Sequence, residues 1–281
     1  MRKWFVSIKK SYIILALLVC FGTVILIFTG ILFNNDSTQI QTDNSVSADH
    51  ETDVTDPTLA VTASTGNRDG EKEILLDVQP ILQDNYAGAC ESYAAVTLLN
   101  FYGYPVDDFQ FIEDYLHTES LSFYDGVYYG PSLFSAFAGT PDDGYGVYAP
   151  SVKDSINQYL ADENSPYRAN IETNCTLKEL CDGYVSKGEP VMVWGTIDMQ
   201  EPYDYVDWVI NYADDNSRLK SGDVFSWPTN EHCMIMIGYD DNNFYFADSL
   251  DAAVVSYPKT DCQKAFEALE SQAIYLAKEK A

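Results

Sequence analysis

Cys90 carries the strongest signal for covalent chemistry in this 281-residue sequence. Apolar residues recur three and four positions apart from Ala94 to Tyr102, which predicts a helix from about Cys90 to Tyr102 that Gly103 ends. Cys90 is therefore expected in the first helical turn, where unpaired backbone N–H groups and the helix dipole favour a thiolate. The alternative interpretation is a free cysteine packed as a small hydrophobic residue.

A thiol nucleophile needs a base, and His232 is the favoured histidine. His50 lies in a polar segment and His117 ends a predicted helix, whereas His232 begins an apolar strand, 232–239. Asp248 ends the strand that returns from it and is a candidate to orient the imidazole. In a tight hairpin, however, Asp248 lies on the His232 face only if the loop has an odd length or a strand carries a bulge. The residues alone leave that point open.

The elements that position these residues indicate an α+β fold. Helical patterns dominate the first half, at 90–102, 107–116, 151–161 and 177–186, and the last of them opens with a capping box at Thr176. Residues 123–150 are predicted to be a long ordered loop. The second half is predicted to be mostly strands, at 191–194, 232–239, 244–247, 253–257 and 273–276, with a helix at 261–270.

The N-terminal part has the composition of a membrane anchor and a linker. Residues 12–33 contain no charge and are long enough to span a bilayer, and four basic residues precede them. Residues 1–33 are therefore predicted to be a cytoplasmic stub and an uncleaved transmembrane anchor, with a cleaved signal peptide as the alternative. Residues 34–72 are predicted to be a disordered acidic linker, and residues 73–281 a single domain outside the cytoplasm.

Charge and cysteine content restrict the partners. The net charge of −27 argues against nucleic acid and against an anionic membrane surface as partners, and it permits a cationic substrate. No zinc-type spacing of cysteine and histidine occurs, so neither a metal nor a cofactor is predicted. The sequence leaves open the oligomeric state and the disulfide pairing of the remaining cysteines of the domain, which are Cys175, Cys181, Cys233 and Cys262.

Four segments, in order, resemble papain-like cysteine peptidases, and in particular the bacterial family related to the double-glycine leader peptidases of bacteriocin exporters. The segments are Gln83 with Gly88 to Gly103, Gly144 to Pro150, Gly188 to Trp194, and Glu231 to Asp248. Together they imply a papain-like fold over about residues 74–277. The sequence departs from the pattern at Ser249, where members of the family often have proline.

The resemblance implies a role for each candidate. Cys90 would be the nucleophile, His232 the general base and acid, and Asp248 the residue that orients the imidazole. Gln83 would help the Cys90 backbone N–H to hold the oxyanion. Papain-like pairing lowers a thiol pKa to about 3–4, so the Cys90–His232 ion pair is expected to be formed already at pH 6.

The sequence therefore predicts a membrane-anchored, extracytoplasmic cysteine peptidase that acts on a peptide or protein. Two alternatives remain at this point. The first is a cell-wall amide hydrolase that uses the same residues, and the second is a catalytically silent binding or adhesion module.

Overall fold

The computed structural model describes residues 73–279. Within this range five α-helices and thirteen strands are formed. The helices are α1 (Cys90–Phe101), α2 (Asp108–Tyr115), α3 (Ala149–Asp162), α4 (Leu177–Gly183) and α5 (Lys259–Ala268). The strands are β1 (Ile74–Leu75), β2 (Thr118–Glu119), β3 (Ser122–Tyr124), β4 (Val127–Pro131), β5 (Phe137–Ala138), β6 (Tyr167–Thr173), β7 (Val191–Thr196), β8 (Tyr205–Tyr212), β9 (Val224–Pro228), β10 (Glu231–Tyr239), β11 (Asn243–Asp248), β12 (Ala253–Pro258) and β13 (Gln272–Lys278).

A seven-stranded antiparallel sheet forms the centre of the described region. Its strands follow the order β12-β11-β10-β7-β13-β6, and β1 pairs with the end of β10. Eight consecutive residues of β10, from Glu231 to Gly238, are buried. A strand that is buried on both faces has a continuous apolar sequence with little alternation, and this pattern is what predicted β10.

The β10–β11 hairpin contains an irregularity that matters for the site. Tyr239 pairs with Phe244, but Met236 pairs with Phe246, so one extra residue of β10 is accommodated between Met236 and Gly238. Beyond this bulge Ile235 pairs with Ala247. The same register places Met234 opposite Asp248. Because side chains alternate between faces, Asp248 shares a face with Met234 and His232.

Helix α1 packs against β10 and β7 and is surrounded by protein. Its residues from Cys90 to Leu99 are all buried, polar ones included. The helix therefore has no solvent-exposed face along this stretch, and any charged side chain on it must find its partners inside the protein.

The segment before α1 runs along the β10–β11 hairpin without forming a helix or strand between β1 and Cys90. The backbone N–H of Leu76 donates to the carbonyl of Ile237 at 2.8 Å, and that of Gln83 donates to the carbonyl of Ser249 at 2.8 Å. This segment, residues 76–89, is called the strap below.

Several sequence predictions about the elements are confirmed. The predicted helices correspond to α1 to α5 within a few residues, and Thr176 and Glu179 form the expected capping box at the start of α4. All five cysteines of the described range are unpaired.

Other predictions were wrong or incomplete. Residues 123–150 are not a single loop, because they hold most of β3 together with β4, β5 and the first residues of α3. Strands β1, β2, β6, β8 and β9 were not predicted. Strands β3, β4, β8 and β9 form a second sheet in which β4 pairs with β8 in parallel. The fold is therefore a mixture of helices and strands throughout, rather than a helical half followed by a strand half.

The predicted anchor, 12–33, and the predicted linker, 34–72, lie outside the described residues. Within residues 73–279, none of the helices combines the length and apolar character needed to cross a bilayer.

Candidate active site

Cys90 is the first residue of α1. Its backbone N–H therefore lies outside the hydrogen-bond ladder of the helix and remains a donor at the helix entrance. Ala89 precedes it as a cap without a side-chain hydrogen bond. At Gly88, a Cβ atom would lie 3.1 Å from the carbonyl oxygen of Pro141, so a small residue lets this neighbouring backbone approach the entrance.

The structure brings His232 and Asp248 into direct contact. The Nε2 atom of His232 lies 2.7 Å from Oδ1 of Asp248, and the two residues are only 2% and 6% exposed. The same oxygen accepts a hydrogen bond from the backbone N–H of Leu250 at 2.9 Å. Burial alone would raise the pKa of Asp248, but the hydrogen bond and charge of His232 hold it below its ordinary value. The contact depends on the β10 bulge, which puts both residues on one face.

Cys90 lies beside β10 at the level of His232. Its Sγ atom is 3.4 Å from Oε2 of Glu91 and 3.6 Å from Oε2 of Glu231, and the backbone of Cys233 also hydrogen-bonds to the thiol. Because side chains alternate along β10, Glu231 and Cys233 project from the face opposite to that of His232. The contacts of the sulfur are therefore with the neighbours of His232 in sequence and not with the imidazole. No hydrogen bond joins Cys90 to His232 itself among the described residues.

Glu91 and Glu231 form a buried carboxyl pair around the sulfur. Glu91 is fully buried and Glu231 is 8% exposed. The backbone N–H of Val147 donates to Oε1 of Glu91 at 2.6 Å, whereas Oε1 of Glu231 has no partner among the described residues. Burial raises the pKa of Glu91 to about 7, and burial together with the charge of Glu91 raises the pKa of Glu231 well above its ordinary value.

These surroundings contradict the expected low pKa of Cys90. Burial, followed by the charges of Glu231 and Glu91, raises the pKa of the thiol well above its ordinary value. The helix entrance was located correctly, but burial and the two acidic neighbours outweigh its effect on the thiol pKa. The Cys90 thiol is placed to donate a hydrogen bond to a carboxyl oxygen.

Gln83 lies in the strap and fastens it to the hairpin. Its Nε2 atom donates to the carbonyls of Tyr86 at 3.0 Å and Ala87 at 2.9 Å, and its Oε1 atom accepts from the Ser249 hydroxyl at 3.1 Å. Both amide hydrogens are thus engaged by the loop that leads to Cys90. Ser249 stands where proline is often found, and its hydroxyl makes a contact to Gln83 that a proline could not make.

Sequence reasoning missed Glu91 and Glu231 as members of the site. The available signal was their position, since each is adjacent in sequence to Cys90 or His232. With Cys90 they bring one sulfur and two carboxylate oxygens within 4.8 Å of one another. The Cys90 thiol is within hydrogen-bond distance of one oxygen of each carboxyl group, and we assign no metal to them. His117 lies apart from the site, as predicted, and its side chain is exposed.

A cysteine at a helix entrance, facing a strand that carries a buried histidine–aspartate pair, defines the class of papain-like thiol peptidases. Comparison with protein-family models matches residues 75–274 to the Peptidase_C39 like family. The chain belongs to this family and is a cysteine peptidase, which confirms the resemblance inferred from its motifs. A comparison with curated proteins finds no match.

Of three similar solved structures, one has a TM-score above 0.5 and the other two are weaker matches. A C39-like peptidase from Bacillus anthracis is 25% identical, with a TM-score of 0.61, over 75% of this chain and 100% of that one. The peptidase domain of Streptococcus ComA, a bifunctional ABC transporter involved in quorum sensing, is 13% identical with a TM-score of 0.40, over 72% of this chain and 99% of that one. Xylellain, a cysteine protease from Xylella fastidiosa, is 14% identical with a TM-score of 0.33, over 73% of this chain and 84% of that one.

Proposed function

We propose that this cysteine peptidase hydrolyses peptide bonds with Cys90 as the nucleophile, His232 as the general base and acid, and Asp248 as the residue that orients the imidazole. The buried 2.7 Å contact between His232 and Asp248 carries this assignment. It is supported by membership of the Peptidase_C39 like family and by the place of Cys90 at the start of α1. Because the sulfur contacts Glu231 and Cys233, whose side chains alternate with that of His232, the reaction requires the thiol and the imidazole to move into contact.

The proton path follows from the hydrogen bonds. With Nε2–H donated to Asp248, Nδ1 of His232 is the nitrogen left to accept the proton of Cys90. The resulting thiolate attacks the carbonyl carbon of the substrate, and the protonated His232 then gives its proton to the leaving amine. His232 then removes a proton from a water molecule, which attacks the thioester. When the thiolate leaves, His232 returns the proton to the sulfur.

The oxyanion of the tetrahedral intermediate is assigned to two donors. The backbone N–H of Cys90 is available at the start of α1. The second donor is the Gln83 amide in the strap. To bind the oxyanion it must give up one of its hydrogen bonds to the carbonyls of Tyr86 and Ala87.

We also propose that residues 12–33 anchor the chain in a membrane, with the peptidase domain outside the cytoplasm. The uncharged stretch and the four basic residues before it support this orientation. Protease added to intact cells is expected to release the domain by cutting within residues 34–72. A domain that stays protected until the cells are lysed would contradict the orientation.

Cleavage of a peptide library by the purified full-length chain tests the function. Wild-type protein and His117→Ala are expected to cleave peptides, while Cys90→Ala is expected to cleave none. His117→Ala is the matched control because this histidine is exposed and away from Cys90. Hydrolysis of cell-wall amides without cleavage of any library peptide would favour the wall hydrolase, and no hydrolysis of either substrate class would contradict the proposal.

A further inference from the structure

The carboxyl pair next to the nucleophile has no counter-charge. Glu91 follows Cys90 on α1 and Glu231 precedes His232 on β10, and both carboxyl groups lie within 3.6 Å of the Cys90 sulfur. No lysine or arginine in residues 73–279 makes an ion pair with either. Two ionised carboxylates in such a place would carry a large desolvation cost that no cation offsets. The pair must therefore hold at least one proton near neutral pH.

The protein is built closely around this pair. A Cβ atom at Gly146 would lie 2.6 Å from Oε1 of Glu91 and 2.7 Å from the Trp227 ring, so the backbone at Gly146 closes on the carboxyl group. The next residue, Val147, donates its N–H to the same oxygen, and its carbonyl accepts from the indole of Trp194. These contacts fix Glu91 without supplying positive charge beyond backbone dipoles.

We propose that Glu91 and Glu231 are positioning residues for Cys90. While the pair is protonated it holds the sulfur at the entrance of α1, and when the pair ionises it suppresses formation of the thiolate. This inference rests on the proposed function only for the assignment of Cys90 as the nucleophile. It gives the enzyme a limit on the alkaline side that is separate from the titration of His232.

The other titratable groups that face the pair do not supply the missing charge. Cys233 lies on β10, with a thiol pKa raised by burial and then by the charges of Glu231 and Glu91. Tyr148, just before α3, also interacts with both carboxyl groups, and burial keeps its pKa raised. His232 is adjacent on β10, but its Nε2 is engaged by Asp248. Apart from burial, the charge on the sulfur is thus controlled by the carboxyl pair.

Alkylation of Cys90 tests the proposal without any substrate. Full-length wild type and the double variant Glu91→Gln/Glu231→Gln are treated with iodoacetamide at pH 5 and pH 8, and modification of Cys90 is followed by peptide mapping. At pH 5 the pair is neutral in both proteins, so their rates are expected to agree within about twofold. At pH 8 the variant is expected to react about tenfold faster or more, because it lacks a negative charge within 3.6 Å of the sulfur.

The outcome is decided by the ratio of the Cys90 alkylation rate of the variant to that of the wild type, compared between pH 5 and pH 8. If the two glutamates have only a structural role, the substitutions loosen the site and change the ratio equally at both pH values. That result would overturn the proposal, and so would a variant that reacts more slowly than wild type at pH 8. Glu189→Gln is the control, because Glu189 is a partly buried carboxyl away from the site with a pKa also raised by burial. If the double variant does not fold, Glu91→Gln is compared in the same way. A pH-dependent ratio without peptide cleavage by the wild type would support the proposal while contradicting the proposed function.

Discussion

Asp248→Asn removes the charge from the buried partner of His232 while keeping the shape of the side chain. In the wild type, Oδ1 of Asp248 accepts from His232 at 2.7 Å and from the Leu250 N–H at 2.9 Å. Asparagine can keep both contacts through its one oxygen, so folding is expected to survive. What is lost is the charge that holds the Nε2–H tautomer and stabilises the imidazolium during proton transfer.

The size of the effect follows from the type of hydrogen bond. A hydrogen bond to a charged group contributes about 1.5–3 kcal/mol, which corresponds to about 10- to 150-fold in rate. The short distance and the burial of both residues place the expected loss in kcat/KM in the upper half of this range. Asp248→Ala is expected to lose at least as much, because it also leaves the imidazole without a partner.

The assay is the pH profile of kcat/KM on the best peptide from the library, together with thermal unfolding. Because the pKa of Asp248 is lowered in the folded protein, its ionisation stabilises the fold above about pH 4, and this contribution is lost as the pH falls through the folded-state pKa. Asp248→Asn should therefore lower Tm at pH 7 and have less effect at pH 3. Asp182→Asn, on the exposed face of α4, is the matched control. A folded Asp248→Asn variant within twofold of wild-type kcat/KM would refute the assigned role.

Three further predictions concern the surroundings of the site. Glu91→Gln is expected to raise Tm at pH 8 and leave it nearly unchanged at pH 4.5, because wild-type Glu91 stays protonated up to about pH 7 in the fold but ionises at lower pH when unfolded; calorimetry at the two pH values measures this, and equal shifts at both would contradict it. Ser249→Ala removes the hydroxyl that holds Gln83 and is expected to lower kcat/KM by about 2- to 13-fold, the equivalent of about 0.5–1.5 kcal/mol; unchanged kinetics would show that this contact does not position Gln83. Thr176→Ala breaks the capping box of α4 and is expected to cost about 1 kcal/mol in denaturant unfolding while leaving kcat/KM unchanged; an altered kcat/KM would contradict its distance from the site.

The sequence was sufficient to locate α1 and β10 because each has a strong local signal. The three- and four-residue spacing ending at Gly103 defined α1, and the continuous apolar run after His232 defined β10. Strands β8 and β9 lack such signals, since exposed and buried residues alternate irregularly along them and polar residues interrupt them. Strand β8 pairs with β4, about 80 residues earlier in the chain, and β9 joins the second sheet by pairing with β8.

The geometry of the candidate site was only partly predictable. The pairing of His232 with Asp248 required a bulge or an odd loop, and nothing in the apolar residues around Ile237 indicates which residue of β10 is extra. The carboxyl pair escaped prediction for a different reason. Glutamate is almost never fully buried, so the sequence gives no reason to expect Glu91 and Glu231 beside a buried sulfur.

The strap has a mechanical consequence. Residues 76–89 join the two-residue strand β1 to Cys90, and they are tied down by backbone bonds to Ile237 near one end and to Ser249 farther along. A pull applied at Glu73 is therefore resisted first by the few bonds around β1, next by the bond at Gln83, and only then by α1. Because of the order of these bonds, β1 is expected to detach before tension reaches Gln83 and Cys90.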